Sequence, residues 1–150
     1  MLLVDVNVLV QAFRADLPRH DEFRAWLESR LVGAEPVAIS ELVLSGVVRL
    51  VTNHRVFREP SSPEKAFGFC EAVRQAPAAI AARPGPRHWD IFAGLCRSVG
   101  ARANLVPDAY HAALAIELGA TWVSDDLDFA KFPGLRWARP LAEQVDTGSE

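Results

Sequence analysis

Cysteine, methionine and tyrosine are scarce in this 150-residue sequence, which has two, one and one of them. Cys70 and Cys96 stand far apart with no CxxC pair or Cys/His cluster around them, which excludes a disulfide scaffold, a zinc site built on thiolates and haem attachment. They read as buried free thiols. No apolar run approaches the roughly 20 residues a membrane-spanning helix needs. Met1-Leu2-Leu3-Val4 reaches Asp5 too early for the apolar segment of a signal peptide, so the sequence reads as a cytoplasmic protein. Positive charge is also short, with 16 basic residues against 19 acidic ones and a net charge of −3. That excludes a global basic field for capturing nucleic acid and leaves room for a local basic rim. Fourteen of the 16 basic residues are Arg, whose planar fork suits phosphate and carboxylate.

Half of the residues are hydrophobic and 23% are charged, the composition of one ordinary globular domain of about modal size. No internal repeat or linker divides the chain, so residues 1–150 read as one domain, with a core over about 1–141 and a polar tail over 146–150. Leu2-Leu3-Val4-Asp5-Val6 reads as a buried strand ending near Asp5, and Pro36-Val37-Ala38-Ile39 as a second. Residues 78–82 and Thr121-Trp122-Val123-Ser124 give a third and a fourth. Phe23, Trp26, Leu27 and Leu31 fall at helical spacing, and Ser40 can cap a helix carrying Leu42, Val43, Val47 and Leu50. Ser61-Ser62-Pro63 starts another helix, reaching about Gln75. Two more run from about His88 to Val99 and from Val106-Pro107-Asp108 onwards, closed by Gly100 and Gly119. Helices alternating with strands predict an α/β fold around a parallel sheet, with a site at the carboxyl ends of the strands.

That edge is where the acids gather. Asp5 and Glu41 each follow a strand, Asp108 sits in the first turn of a helix, and Asp125, Asp126 and Asp128 follow the fourth strand. Taken singly, each has an ordinary explanation. Glu41 and Asp108 suit a helix N-terminus, and at least one of the three clustered aspartates reads as a solvated turn. Asp5 is harder to explain, because a carboxylate between apolar residues is rarely buried without a partner. Four segments aiming carboxylates into one crevice would repel one another unless a cation neutralised them. An all-oxygen set favours Mg2+ or Mn2+, and such ions polarise phosphoryl groups and activate water, which points to phosphodiester hydrolysis. Asn7 and Ser124, two residues from Asp5 and Asp126, are placed to orient a ligating carboxylate. His111, on an Ala-rich face, is given no role, and Trp26, Trp89, Trp122 and Trp137 read as core.

Asp5-Val6-Asn7-Val8-Leu9, the Glu41 helix start, Val106-Pro107-Asp108-Ala109 and Val123-Ser124-Asp125-Asp126-Leu127-Asp128-Phe129 together resemble a PIN-domain ribonuclease. Arg87-His88-Trp89, Asn104-Leu105-Val106-Pro107-Asp108-Ala109 and Asp128-Phe129-Ala130-Lys131-Phe132-Pro133-Gly134-Leu135 narrow the likeness to VapC-type toxins of bacterial toxin–antitoxin pairs. The resemblance covers about residues 1–141. It implies a three-layer α/β/α fold, metal-dependent cleavage of a cellular RNA, a homodimer, and inhibition by a small VapB-like antitoxin. It also implies that Asp5, Glu41, Asp108 and Asp126 are the family's four acids and Asp128 the additional acid of its closing motif. Asn7 and Ser124 match its small polar positions.

Two other readings remain open. A haloacid-dehalogenase-type phosphatase shares an Asp after the first strand, but Asn7 stands where its second Asp is required as general acid. A PIN-like module that binds RNA or a partner without cutting would have lost an acid, and all four are present.

Overall fold

The computed structural model of the protein describes residues 1–141; the tail expected over 146–150 lies outside the described residues. Strands β1 (Leu2–Val4), β2 (Val37–Ser40), β3 (Ala79–Ala82), β4 (Thr121–Val123) and β5 (Trp137–Ala138) form one sheet in the order β3-β2-β1-β4-β5, with every pairing parallel. Helices α1 (Val6–Phe13), α2 (His20–Leu31), α3 (Glu41–Val51) and α4 (Pro63–Arg74) pack against one another. Helices α5 (His88–Val99) and α6 (Leu105–Leu118) pack together as a separate pair. The chain is thus the expected α/β fold.

Local chemistry accounts for the elements. The interior strands are apolar on both faces because helices cover both: Leu3, Val4, Val37 and Ala38 are buried, while β3, at the edge, is largely solvent-facing. Ser62 caps α4 by accepting from the Lys65 amide, with Pro63 in the first turn. Gly100 and Gly119 end α5 and α6 in the left-handed conformation, φ 62° and 66°. Ala109, Ala112, Ala113 and Ala115 give α6 a buried face without bulk.

Arg14, just beyond α1, is nearly buried. Its guanidinium donates twice to the Asp16 carboxylate, at 2.8 and 2.6 Å, and to the Glu59 carbonyl and Ser61 hydroxyl at 2.8 and 3.0 Å, while stacking over Phe57. One side chain therefore ties the 52–62 connection to the end of α1.

Several expectations are corrected. Helix α1 begins directly after Asp5, where the sequence suggested only the end of a strand. Strand β5 was not foreseen. Trp89 is not core: it is 68% exposed, and Trp26 and Trp137 are only half-buried, leaving Trp122 as the fully buried tryptophan. Cys70 is buried as expected, but Cys96 is half-buried because its face of α5 lies at the rim of the core.

Candidate active site

The strand order reverses between β1 and β4, because the chain moves outward from β1 through β2 to β3 and then crosses back to β4 on the other side. In open α/β sheets the crevice at such a reversal, beyond the carboxyl ends of the strands, is where ligands bind. Asp5 leaves β1 there, and Ser124, Asp125 and Asp126 leave β4 beside it.

Asp5 is 7% exposed and fully engaged. Its Oδ1 accepts from the Val6 amide at 2.6 Å, which caps α1, and its Oδ2 accepts from the Ser124 hydroxyl at 2.6 Å and from Asn7 Nδ2 at 3.2 Å. Asn7 Nδ2 also donates to Ser124 Oγ at 3.0 Å, and Asn7 Oδ1 accepts from the Asp125 amide at 3.2 Å. Ser124 Oγ in turn accepts from the Asp126 amide at 3.1 Å. Asn7 and Ser124 therefore lock the first turn of α1 to the end of β4 around one carboxylate. Burial pushes the Asp5 carboxyl up to about 6 against these hydrogen bonds, and the charges of Asp108 and Asp126 add to the rise.

Asp108, in the first turn of α6, is half-buried. Burial, followed by the charges of Asp126 and Asp128, pushes it up to about 6, with Lys131 opposing. Asp126 caps the 3-10 helix Leu127–Lys131 by accepting from the Asp128 amide at 2.9 Å. Asp5, Asp108 and Asp126 thus act on one another as neighbouring negative charges.

The remaining acids are turned elsewhere. Asp125 accepts from Arg139 Nε and Nη2 at 3.0 and 2.8 Å, so this charge is neutralised by a residue to which the sequence drew no attention. Asp128 is exposed and pairs with Lys131 at 3.3 Å. Glu41 opens α3 as expected, but its carboxylate is 68% exposed and faces Arg83 at 3.7 Å. Among the described residues, no three His, Cys, Asp or Glu side chains are already arranged around one ion.

His111 lies one turn beyond Asp108 and is buried, its ring stacked on Trp122 at 5.2 Å and 14°. Burial pulls it down to about 4, so it is neutral at pH 7. Among the described residues, neither His111 Nδ1 nor Trp122 Nε1 has a hydrogen-bond partner.

The family model of the PIN domain matches residues 2–135, a span that includes the switch point and Asp5, Asp108 and Asp126. The chain belongs to the PIN-domain family and, within it, to the VapC ribonucleases. Ribonuclease VapC43 of Mycobacterium tuberculosis is 49% identical over 145 residues, covering 97% of this chain and 99% of that protein. Ribonuclease VapC25 of the same species is 41% identical over 140 residues, covering 93% and 99%. Among solved structures, VapBC2 from Rickettsia felis bound to a promoter DNA fragment superposes with a TM-score of 0.67 at 18% identity, over 92% of this chain and 97% of that one. The M. tuberculosis toxin VapC20, described as cleaving the sarcin-ricin loop, gives 0.64 at 21% identity, over 91% and 99%. At those identities the structural likeness speaks for the fold.

Proposed function

We propose that this protein is an Mg2+-dependent endoribonuclease, the toxin of a toxin–antitoxin pair, cleaving phosphodiester bonds in cellular RNA. The observation that carries the reading is the buried, triply hydrogen-bonded Asp5 facing Asp108 and Asp126 at the switch point, together with full-length relatives named ribonucleases.

The donor set fits a hard divalent cation, being all oxygen, with neighbouring negative charges adding to the raised pKa of Asp5 and of Asp108. Asp5, Asp108 and Asp126 would hold it, with Asp128 reaching it through water and Glu41 after leaving Arg83. Mn2+ is a plausible substitute for Mg2+. The ion would polarise the phosphoryl group and activate water. The chain's own part is positioning. Ser124, Asn7 and the Val6 amide fix the Asp5 carboxylate, so its oxygens need no reorganisation when substrate arrives.

Solved neighbours include toxin–antitoxin complexes, among them one from Klebsiella pneumoniae, which supports a VapB-like antitoxin as partner. Such a partner would neutralise the crevice most directly by inserting Arg or Lys among Asp5, Glu41 and Asp108. A homodimer and a cytoplasmic location complete the proposal; among the described residues, no helix is long and apolar enough to cross a membrane.

The test is to sequence the 5′ ends of RNAs after induced expression of the protein and of its Asp5→Asn variant. New ends with the wild type and none with the variant are expected. Identical end profiles would defeat the ribonuclease reading.

A further inference from the structure

Beside the acids lies a cleft that the mechanism above does not use. It has a volume of about 530 Å3 and opens between the start of α3, the β3–α5 connection and α6, lined by Leu42, Arg83, Pro84, Tyr110 and Leu114 together with Ser40 and Glu41. That volume falls within the roughly 300–1,000 Å3 of clefts that take small organic ligands. It lies at the same carboxyl edge of the sheet as the acids: Ser40 ends β2, which pairs with β1, and β1 runs directly into Asp5.

Each wall has a distinct character. Leu114 is fully buried and Leu42, 50% exposed, forms an apolar lip. The Tyr110 ring is backed by His88, edge-on at 4.3 Å, and by Phe92 at 5.6 Å, so its orientation is set by packing. His88, nearly buried, also bonds the Tyr110 carbonyl through Nε2 at 3.0 Å. The opposite wall is held by Glu117, whose carboxylate accepts from the Gly85 and Arg87 amides at 2.6 and 2.8 Å. A Cβ at position 85 would stand 2.8 Å from Glu117 Oε2, so a larger residue there would require the Glu117 carboxylate to shift. This pinned connection presents Arg83, 74% exposed, at the cleft mouth. Its contact with Glu41, at 3.7 Å between two exposed side chains, contributes little and is open to exchange.

We propose that this cleft is a subsite for one unpaired nucleobase of the RNA substrate, the base packing on Tyr110 and Leu42 while Arg83 takes the adjoining phosphate. An apolar slot with an aromatic wall and, at its mouth, an exposed guanidinium held only by a weak pair with Glu41 is complementary to a nucleotide at both ends, base and phosphate. Its position would place that nucleotide next to the bond that the acids address. The subsite selects single-stranded or looped RNA, since a paired base cannot enter. This inference rests on the ribonuclease reading.

The experiment uses the full-length protein carrying Asp5→Asn, so that RNA stays intact, and a labelled single-stranded RNA of mixed sequence in which each base in turn is replaced by an abasic site. Fluorescence anisotropy should show that losing one particular base weakens binding roughly five- to a hundredfold, the range of a single stacking contact. Adding Tyr110→Leu should erase that step. Leu42→Trp, which fills the mouth from an exposed position, should erase it too and guards against misfolding of the Tyr110 variant. Arg83→Ala should lower the salt dependence of binding by about 0.7 in the log–log slope, the share of one phosphate contact on a single strand. A flat abasic scan, or a step that survives both cleft variants, overturns the subsite while cleavage by the wild type leaves the ribonuclease reading standing. Absence of both RNA binding and cleavage overturns both.

Discussion

Replacing Asp5 by Asn should abolish RNA cleavage and yet make the metal-free protein more stable, because the structure holds this carboxylate at a cost. Its pKa is raised from 3.8 to about 6, and a raised folded-state pKa means that the folded protein binds a proton more tightly than the unfolded chain. That advantage is complete below pH 3.8 and is lost as the pH climbs through 6. Above pH 6 the charged Asp5 therefore weakens the fold by about 3 kcal/mol, at 1.36 kcal/mol per unit. Asn avoids that loss and keeps an oxygen to accept from the Val6 amide. Its nitrogen, however, meets the Ser124 hydroxyl and Asn7 Nδ2, which now donate to Oδ2. Ser124 can rotate to accept, whereas the Asn7 bond is forfeited, at about 1 kcal/mol. The net gain of about 2 kcal/mol should raise Tm by roughly 4–8 °C in a domain of this size. Thermal melts followed by circular dichroism in EDTA should show the gap at pH 8 and little or none at pH 4.5. Saturating Mg2+ should raise the Tm of the wild type more than that of the variant. A variant less stable than the wild type at pH 8, or a gap that ignores pH, would refute the reasoning.

Three other outcomes are expected. Alanine at Asp126 should cost cleavage orders of magnitude, more than at Asp128, and at Asp125 least, since Asp126 acts on both Asp5 and Asp108 whereas Asp125 is spent on Arg139; single-turnover RNA cleavage in saturating Mg2+ orders the three, and a larger loss at Asp125 than at Asp126 contradicts the geometry. His111, neutral and buried with a value near 4, contributes stability that is present above about pH 6.5 and is lost as the pH falls towards 4. Urea titrations at pH 7 and pH 5 should therefore show the wild type losing about 2 kcal/mol relative to His111→Phe, a comparison that cancels the opposite trend of Asp5 and Asp108; equal pH dependence in both proteins would be the contrary result. If the antitoxin inserts a cation among the acids, Mg2+ at constant ionic strength should weaken its binding, measured calorimetrically, and unchanged affinity would place the contact elsewhere.

The acids were legible in the sequence because each stands where apolar patterning stops, and patterning is what local sequence reports best. Their orientations were not. Glu41 occupies the foreseen position but faces Arg83, and Asp125 is distinguished from Asp126 by Arg139, fourteen residues further on; such choices depend on tertiary neighbours. Helix α1 was hidden because Val6, Val8 and Val10 continue the β-favouring run of β1, and the Asp5 side chain, by capping Val6, is what turns the chain into helix. The two residues of β5 are too few for any periodicity to register. Trp89 shows the converse error, since an aromatic at helical spacing is indistinguishable from core until the helix's covered face is known.

The Asp5–Ser124 hydrogen bond spans 119 positions of the chain. Closing so long a loop is entropically costly and belongs late in folding. During synthesis the first acid leaves the ribosome long before its serine exists, and every nascent chain that stops short of β4 lacks the lock around Asp5. For a protein that cuts RNA in the cell producing it, this order delays the hazard: cellular RNA meets only finished molecules, and an antitoxin has the whole interval of translation in which to be waiting.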